Sequence, residues 1–409
     1  MDDVRDATTR YAPPDLAGPL PGRKRLVVCC DGTWNRPDEL RNGVAAPTNV
    51  AKIALGVARG GEDGVAQRLY YQRGVGTRRL ERYSGGGFGY GLSRNIRDCY
   101  RFLVENYAPG DELYLFGFSR GAYTARSLAG LVRNCGILKP EHAGHIDAAY
   151  ALYRSRGDRF KPTAIESQIF RRMYAHEDET PIRFVGVWDT VGALGIPIDG
   201  IRLPFTDRLW GFHDTDLSRS VLSAYQALSI DEERGPFAPT LWTQQADAGG
   251  QVLEQVWFAG VHCDVGGGYA DCGLAEIPLL WMADRARACG LAFEPGHLLV
   301  RAPDPEAERR ALGERLAPDR LAALHPSRRG WYRLLPRHVR RLGPAADRGD
   351  DRDGHAAAAS AIGRMHELAG YCPASLERWA AAGRPVVPVR DGSPRAGANA
   401  REPTARVRG

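Results

Sequence analysis

The residues that most directly suggest chemistry are Gly117-Phe118-Ser119-Arg120-Gly121, a G-x-S-x-G pattern. A serine hydroxyl is a weak nucleophile until a base takes its proton and the local backbone exposes its oxygen. The neighbouring sequence supplies such a backbone. Glu112–Phe118 (ELYLFGF) reads as a strand and Gly121–Asn134 as a helix. A serine on so tight a strand-to-helix turn presents Oγ above the sheet edge, and flanking glycines remove side chains that would clash there. The helix N-terminus then favours the negative charge of a tetrahedral intermediate.

Such a serine needs a histidine base and a carboxylate to orient it, in the chain order nucleophile, acid, histidine. His262 follows the apolar run Glu254–Ala259 through Gly260-Val261, and Asp189 ends the run Phe184–Trp188. Plainer readings stand beside these: Asp189 as a turn cap, His262 as a structural histidine. Asp264 is a second carboxylate that either replaces Asp189 or holds the glycine loop 266–268. His213, on a polar segment, is the competing base. An oxyanion hole needs two backbone N–H donors. Arg120 is one candidate, and Gly32 or Thr33, in the loop after the first strand, is the other. Asp31 either ties down that loop or binds a metal; the loop role is preferred because no His or Glu partner lies near it in sequence. The chemistry calls for no cofactor and no metal.

These residues need a sheet to hold them. Arg25–Cys30 (RLVVCC), Leu69–Arg73, Glu112–Phe118, Pro181–Trp188 and Glu254–Ala259 read as short apolar strands. Asn49–Ala58, Arg94–Asn106 and Gly121–Asn134 read as helices between them, with a glycine-rich loop from Gly74 to Gly91. Alternation of this kind predicts an α/β fold with a mostly parallel central sheet flanked by helices. Residues 1–23 read as a flexible leader, 24–300 as the catalytic domain, 301–390 as excursions and helices packing on it, and 391–409 as a disordered tail. Within the domain, 137–180 is polar and helical in pattern. It is expected to form a lid or pocket wall, with Phe160, Ile165, Ile169, Phe170 and Met173 as its apolar face.

Composition narrows the classes. The 409 residues are 43% hydrophobic and 25% charged, which excludes a disordered or fibrous chain. A mean hydropathy of −0.37 and the lack of a long uncharged apolar run argue against a membrane span. The N-terminus has no signal-peptide pattern, so the expected location is the cytoplasm, or delivery by a signal-peptide-independent secretion system. The net charge is +6, and all but four of the 55 basic residues are arginines, spread along the chain rather than gathered as a nucleic-acid face. Eight cysteines without a C-x-x-C pair read as reduced thiols, several of them buried.

Six segments together resemble an α/β-hydrolase family that includes the phospholipase effectors of bacterial type VI secretion. They are LVVCCDGTWN (26–35), YLFGFSRGAYTAR (114–126), FVGVWDTVGALG (184–195), FHDTDLS (212–218), AYQALSIDEERGPFAPTLW (224–242) and VWFAGVHCDVGGGY (256–269). The resemblance implies an α/β-hydrolase-like fold with helical insertions, the triad Ser119, Asp189 and His262, and hydrolysis of a lipid or other acyl ester. It also implies a secretion-machine or immunity partner. The basic segment Ser327–Leu342, with Trp331, Leu334, Leu335, Val339 and Leu342, is a candidate for peripheral membrane contact; the plainer reading is a surface excursion. Two other functions remain open: a non-catalytic scaffold on a hydrolase fold, and a metal-assisted phosphodiesterase using Asp31, Asp189 and Asp264.

Overall fold

An uninterrupted apolar run such as Leu26–Cys30 needs cover on both faces, which a parallel sheet between two helical layers provides. The computed structural model describes residues 22–32, 40–41, 44–74, 85–155, 157–192, 216–300, 316–328, 330–343 and 353–391. It contains such a sheet. The strands are β1 (Lys24–Cys30), β2 (Ala66–Gln72), β3 (Glu112–Phe118), β4 (Phe184–Trp188), β5 (Ser223–Ser229), β6 (Val252–Phe258), β7 (His355–Ala358) and β8 (Val386–Val387). All pair in parallel, in the order β2-β1-β3-β4-β5-β6-β7-β8. This is the α/β-hydrolase-like architecture expected. The order reverses between β1 and β3. At such a switch point the connections diverge and leave a crevice at the C-terminal edge of the sheet.

Side-chain alternation along β1 assigns the layers. Leu26, Val28 and Cys30 face α2 (Gly85–Asn106) and α3 (Arg120–Cys135). Val27 and Cys29 face the opposite layer, with residues of α1 (Asn49–Gly56) and α7 (Gly273–Ala288); a short helix, α6 (His262–Gly266), precedes α7. At the far end, Leu228, Trp257 and Ala357 meet α8 (Ala359–Glu367) and α9 (Ala374–Ala381). All eight cysteines are free thiols, and five of them are buried.

Several expectations need correction. Helix α2 starts at Gly85, so the glycine-rich loop is shorter than read. Leu92 is buried with Ile96, Cys99, Tyr100 and Leu103, and packing of that stripe outweighs the weak helix propensity of glycine. Strand β5 was not anticipated. Strands β7 and β8 come from the stretch read as excursions.

The segment 137–180 packs against α3 through α4 (Ile146–Arg154) and α5 (Ile165–Tyr174). Arg171 donates to the carbonyls of Asn134 and Pro162, which fixes α5 at the C-terminal end of α3. The 16 residues of α3 span about 24 Å, and Ser119 lies at its other end. Helix α5 therefore contacts the end of α3 opposite Ser119. Phe170 packs on the core, while Ile165, Ile169 and Met173 are exposed. No helix among the described residues is long and apolar enough to cross a membrane.

Candidate active site

Strand register sets the first two residues side by side. Phe118 on β3 pairs with Trp188 on β4, so Ser119 and Asp189 leave adjacent strands at the same level. The Ser119 N–H donates to the Trp188 carbonyl at 3.0 Å, and the Asp189 N–H donates to that of Ala227 at 2.8 Å. Both residues take positive φ, 56° at Ser119 and 38° at Asp189. At Ser119 the flanking glycines make this possible. A Cβ on Gly121 would run into the Cys30 carbonyl, and one on Gly117 into the backbone of Gly121 and Ala122. A serine at a helix start ordinarily caps it with its hydroxyl. Ser119 precedes α3 without any side-chain capping bond, so its Oγ is not committed to the helix.

His262 enters from β6, two strands beyond β4, as the first residue of α6. Its Nδ1 lies 2.6 Å from Asp189 Oδ2. Its ring packs against Phe118, the residue before Ser119, at 4.7 Å between centroids, and against Phe237 at 5.0 Å. Ser119, Asp189 and His262 are 6%, 0% and 4% exposed. Burial pushes the Asp189 carboxyl up, but the Arg340 charge and the His262 hydrogen bond outweigh it and hold the group well below the usual carboxylate range. Burial pulls the His262 imidazole down, against the raising effect of Asp189. The pair at rest is thus an ionised Asp189 and a neutral His262 donating Nδ1–H. Nε2 is the nitrogen free to accept a proton.

The remaining predicted residues divide. Arg120 opens α3 directly after Ser119. The Gly32 N–H donates to Asp31 Oδ1 at 2.6 Å. Thr33, like His213, lies outside the described residues. Asp31 ties down its loop, accepting from Thr48 Oγ1 at 2.8 Å and from the Tyr71 hydroxyl as well. Asp264 accepts from Val261 N at 3.0 Å and pairs with His325 Nδ1 at 2.6 Å. It therefore holds the loop carrying His262 rather than orienting the imidazole. The three aspartates of the metal reading each serve a different partner set, and no group of potential metal ligands converges among the described residues.

Sequence reasoning missed the support around this pair. Arg340, 2% exposed, grips Asp189 with Nη1 to Oδ1 at 2.6 Å and Nη2 to Oδ2 at 3.1 Å. It comes from the segment read as a membrane-contact candidate, which forms a short helical turn at Gly330–Leu334, leaves Leu334 and Val339 exposed, and turns Arg340 inward. Glu232 accepts from His262 N at 3.3 Å and pairs with Arg234, whose guanidinium lies 3.6 Å from the Phe237 ring centroid. The acid-rich run Asp231-Glu232-Glu233-Arg234 after an apolar stretch was the available signal for this cluster. Beside the His262 loop opens a cleft of about 570 Å³, lined in part by Val261, His325, Arg328, Arg333, Arg337 and Tyr371.

The parallel sheet between helical layers, the positive-φ turn at Ser119 and the buried Asp189–His262 pair belong to an α/β-hydrolase-like fold. The catalytic-domain model of the type VI secretion phospholipase effectors, Tle1-like, matches residues 24–285, and the chain belongs to this family. An uncharacterized protein of Saccharomyces cerevisiae is 30% identical over 240 residues, covering 54% of this chain and 33% of its own length. The chain thus spans about a third of that curated relative. Two solved structures are similar in part. An uncharacterized protein from Pseudomonas aeruginosa has a TM-score of 0.41 at 18% identity, over 70% of this chain and 48% of its own. The Tle1 effector bound to the VgrG spike has a TM-score of 0.32 at 17% identity, over 64% and 56%.

Proposed function

We propose that the protein is a serine hydrolase that cleaves a carboxylic ester, with the acyl ester of a phospholipid as its substrate class. The observation that carries this reading is the buried Asp189–His262 pair packed against the residue that precedes Ser119. In the proposed cycle Ser119 Oγ attacks the acyl carbonyl while His262 Nε2 takes its proton. Asp189 keeps the imidazole in the tautomer that leaves Nε2 bare, and it stabilises the imidazolium that forms. The Arg120 N–H and the positive end of α3 meet the oxyanion. The protonated His262 gives its proton to the departing alcohol. Water, activated by the same imidazole, then releases the acid and restores Ser119.

Membership of the phospholipase family supports a lipid substrate, and the arginines of the neighbouring cleft suit a phosphate group. Delivery by a secretion machine, with an immunity partner guarding the producing cell, fits the same family. Vesicles of mixed phosphatidylethanolamine and phosphatidylglycerol, with released fatty acid and lysolipid as the readout, test the proposal. The wild-type chain is expected to release both, and Ser119→Ala to lose the activity by on the order of 10⁴-fold or more. A Ser119→Ala protein retaining a tenth of the rate would refute the nucleophile.

A further inference from the structure

Arg340 lies beyond residues 24–285, yet it makes the most extensive contact with the proposed acid. Asp189 Oδ1 accepts from Ser229 N at 3.1 Å and from Arg340 Nη1 at 2.6 Å. Oδ2 accepts from His262 Nδ1 at 2.6 Å and from Arg340 Nη2 at 3.1 Å. Four donors thus fill the four lone-pair directions of one carboxylate. The guanidinium is itself fixed: Nη1 also donates to Ser229 O at 2.9 Å and Ser229 Oγ at 2.6 Å, and Nη2 donates to the Phe237 carbonyl. A buried arginine with no carboxylate partner would be costly, and a buried carboxylate held only by an imidazole would be free to turn about its own axis.

We propose that Arg340 is a positioning residue for the acid–base pair, clamping the Asp189 carboxylate in the one plane that meets His262 Nδ1. This rests on the triad reading above and extends it. A parallel two-pronged contact fixes orientation in a way a single donor cannot. The clamp has an electrostatic consequence. Its positive charge beside Asp189 offsets the carboxylate's pull on the imidazole proton, so His262 sheds that proton at a lower pH than it would beside a lone carboxylate. Arg340 therefore favours the neutral base at mildly acidic pH, at some cost in base strength.

Other groups also surround His262 and keep their chemical identity in an Arg340 variant. On the 229–237 segment they are Asp231, Glu232 paired with Arg234, and Phe237; on α6 itself they are Cys263 and Asp264; Tyr332 and His325 come from the 316–343 segment. Asp231, which burial pushes up to about 6, titrates in the same window, so the comparison is between variants rather than against a fixed value.

The test is the rate of Ser119 modification by a fluorophosphonate between pH 4.5 and 9, measured on the full chain. This readout does not depend on the natural substrate. Arg340→Gln is expected to slow the plateau rate about 10- to 100-fold and to move the acid limb up by about one pH unit. Arg340→Lys keeps the charge and loses the fork, so it is expected to slow the plateau while leaving the limb in place. An Arg340→Gln limb that coincides with wild type would overturn the proposal. If Arg340→Gln fails to fold, Arg340→Lys decides: a slowed plateau on an unmoved limb supports the clamp, and a wild-type rate overturns it. If Ser119→Ala labels as fast as wild type, the triad reading fails instead, whatever Arg340 does.

Discussion

Three non-glycine residues hold positive φ among the described residues, Ser119, Asp189 and Leu298, and two of them are the proposed nucleophile and acid. A non-glycine residue in that region costs on the order of 1–3 kcal/mol, so it persists where surrounding contacts over-determine it. At Asp189 those contacts are Arg340, Ser229 N and His262; at Ser119 they are the glycine-relieved turn and the Trp188 carbonyl. Because burial holds the His262 pKa below the free imidazole value, protonation should silence the base only at lower pH. Hydrolysis is therefore expected to rise with pH through an acid limb centred below about 6.5 and to be level above it. Asp189→Asn should cost about 10³- to 10⁴-fold in kcat, because with Arg340 drawing the amide oxygen the NH₂ faces Nδ1 and favours the wrong tautomer; a pH–rate profile and kcat measurements check both. The sequence brought out Ser119, Asp189 and His262 as candidates because each follows an apolar run that reads as a strand. It hid Arg340, one of many arginines in a polar stretch. Nor does residue spacing reveal the contact of the Gly32 N–H with the Asp31 side chain.

Strand β5 shows why some elements escaped the sequence. Its segment SAYQALS is buried throughout, yet it carries Gln226 and two serines where an apolar run would be expected. Gln226 Nε2 donates to the Thr240 carbonyl and Ser229 Oγ accepts from Arg340, so these two polar groups find partners elsewhere along the chain, while the buried Gln226 Oε1 has none. Strand β7 escaped for another reason: HAAA has little β propensity and is held by pairing with β6 and by cover from α8 and α9. The insertion 137–180 was legible as helical but not in its placement. An amphipathic pattern says that a helix covers something, without saying what. Its placement at the far end of α3 gives a prediction opposite to that for a pocket wall. Phe170→Ala should lower stability by about 2 kcal/mol, less than a fully buried Phe→Ala, and leave the acyl-chain-length preference unchanged. Met173→Ala, on an exposed side chain, should alter neither. Thermal melts combined with a chain-length series of esters separate the two placements.

Across the whole molecule, the two edges of the sheet have different tasks. At the N-terminal edge Lys24 and Asp111 form a fully buried pair at 2.5 Å, with Asp111 also accepting from the backbone of Lys24 and Ala108. Removing one partner strands the other charge. Lys24→Met is therefore expected to cost about 3–5 kcal/mol of stability while leaving the specific activity of the folded fraction unchanged, as denaturant titration and assays below the transition would show. At the C-terminal edge stand Ser119, Asp189 and His262, and the segments 316–328 and 330–343 reach the loops there. Arg340 on Asp189 and His325 on Asp264 tie these segments to both loops that hold the acid–base pair. Activation of Ser119 as a nucleophile by His262 is open to direct test by intact-mass spectrometry after fluorophosphonate treatment. The account predicts one adduct per chain, mapped by peptide sequencing to Ser119, and absent or slowed by several orders of magnitude in both Ser119→Ala and His262→Ala proteins that remain folded. An adduct on another residue, or undiminished labelling of Ser119 in His262→Ala, would contradict it.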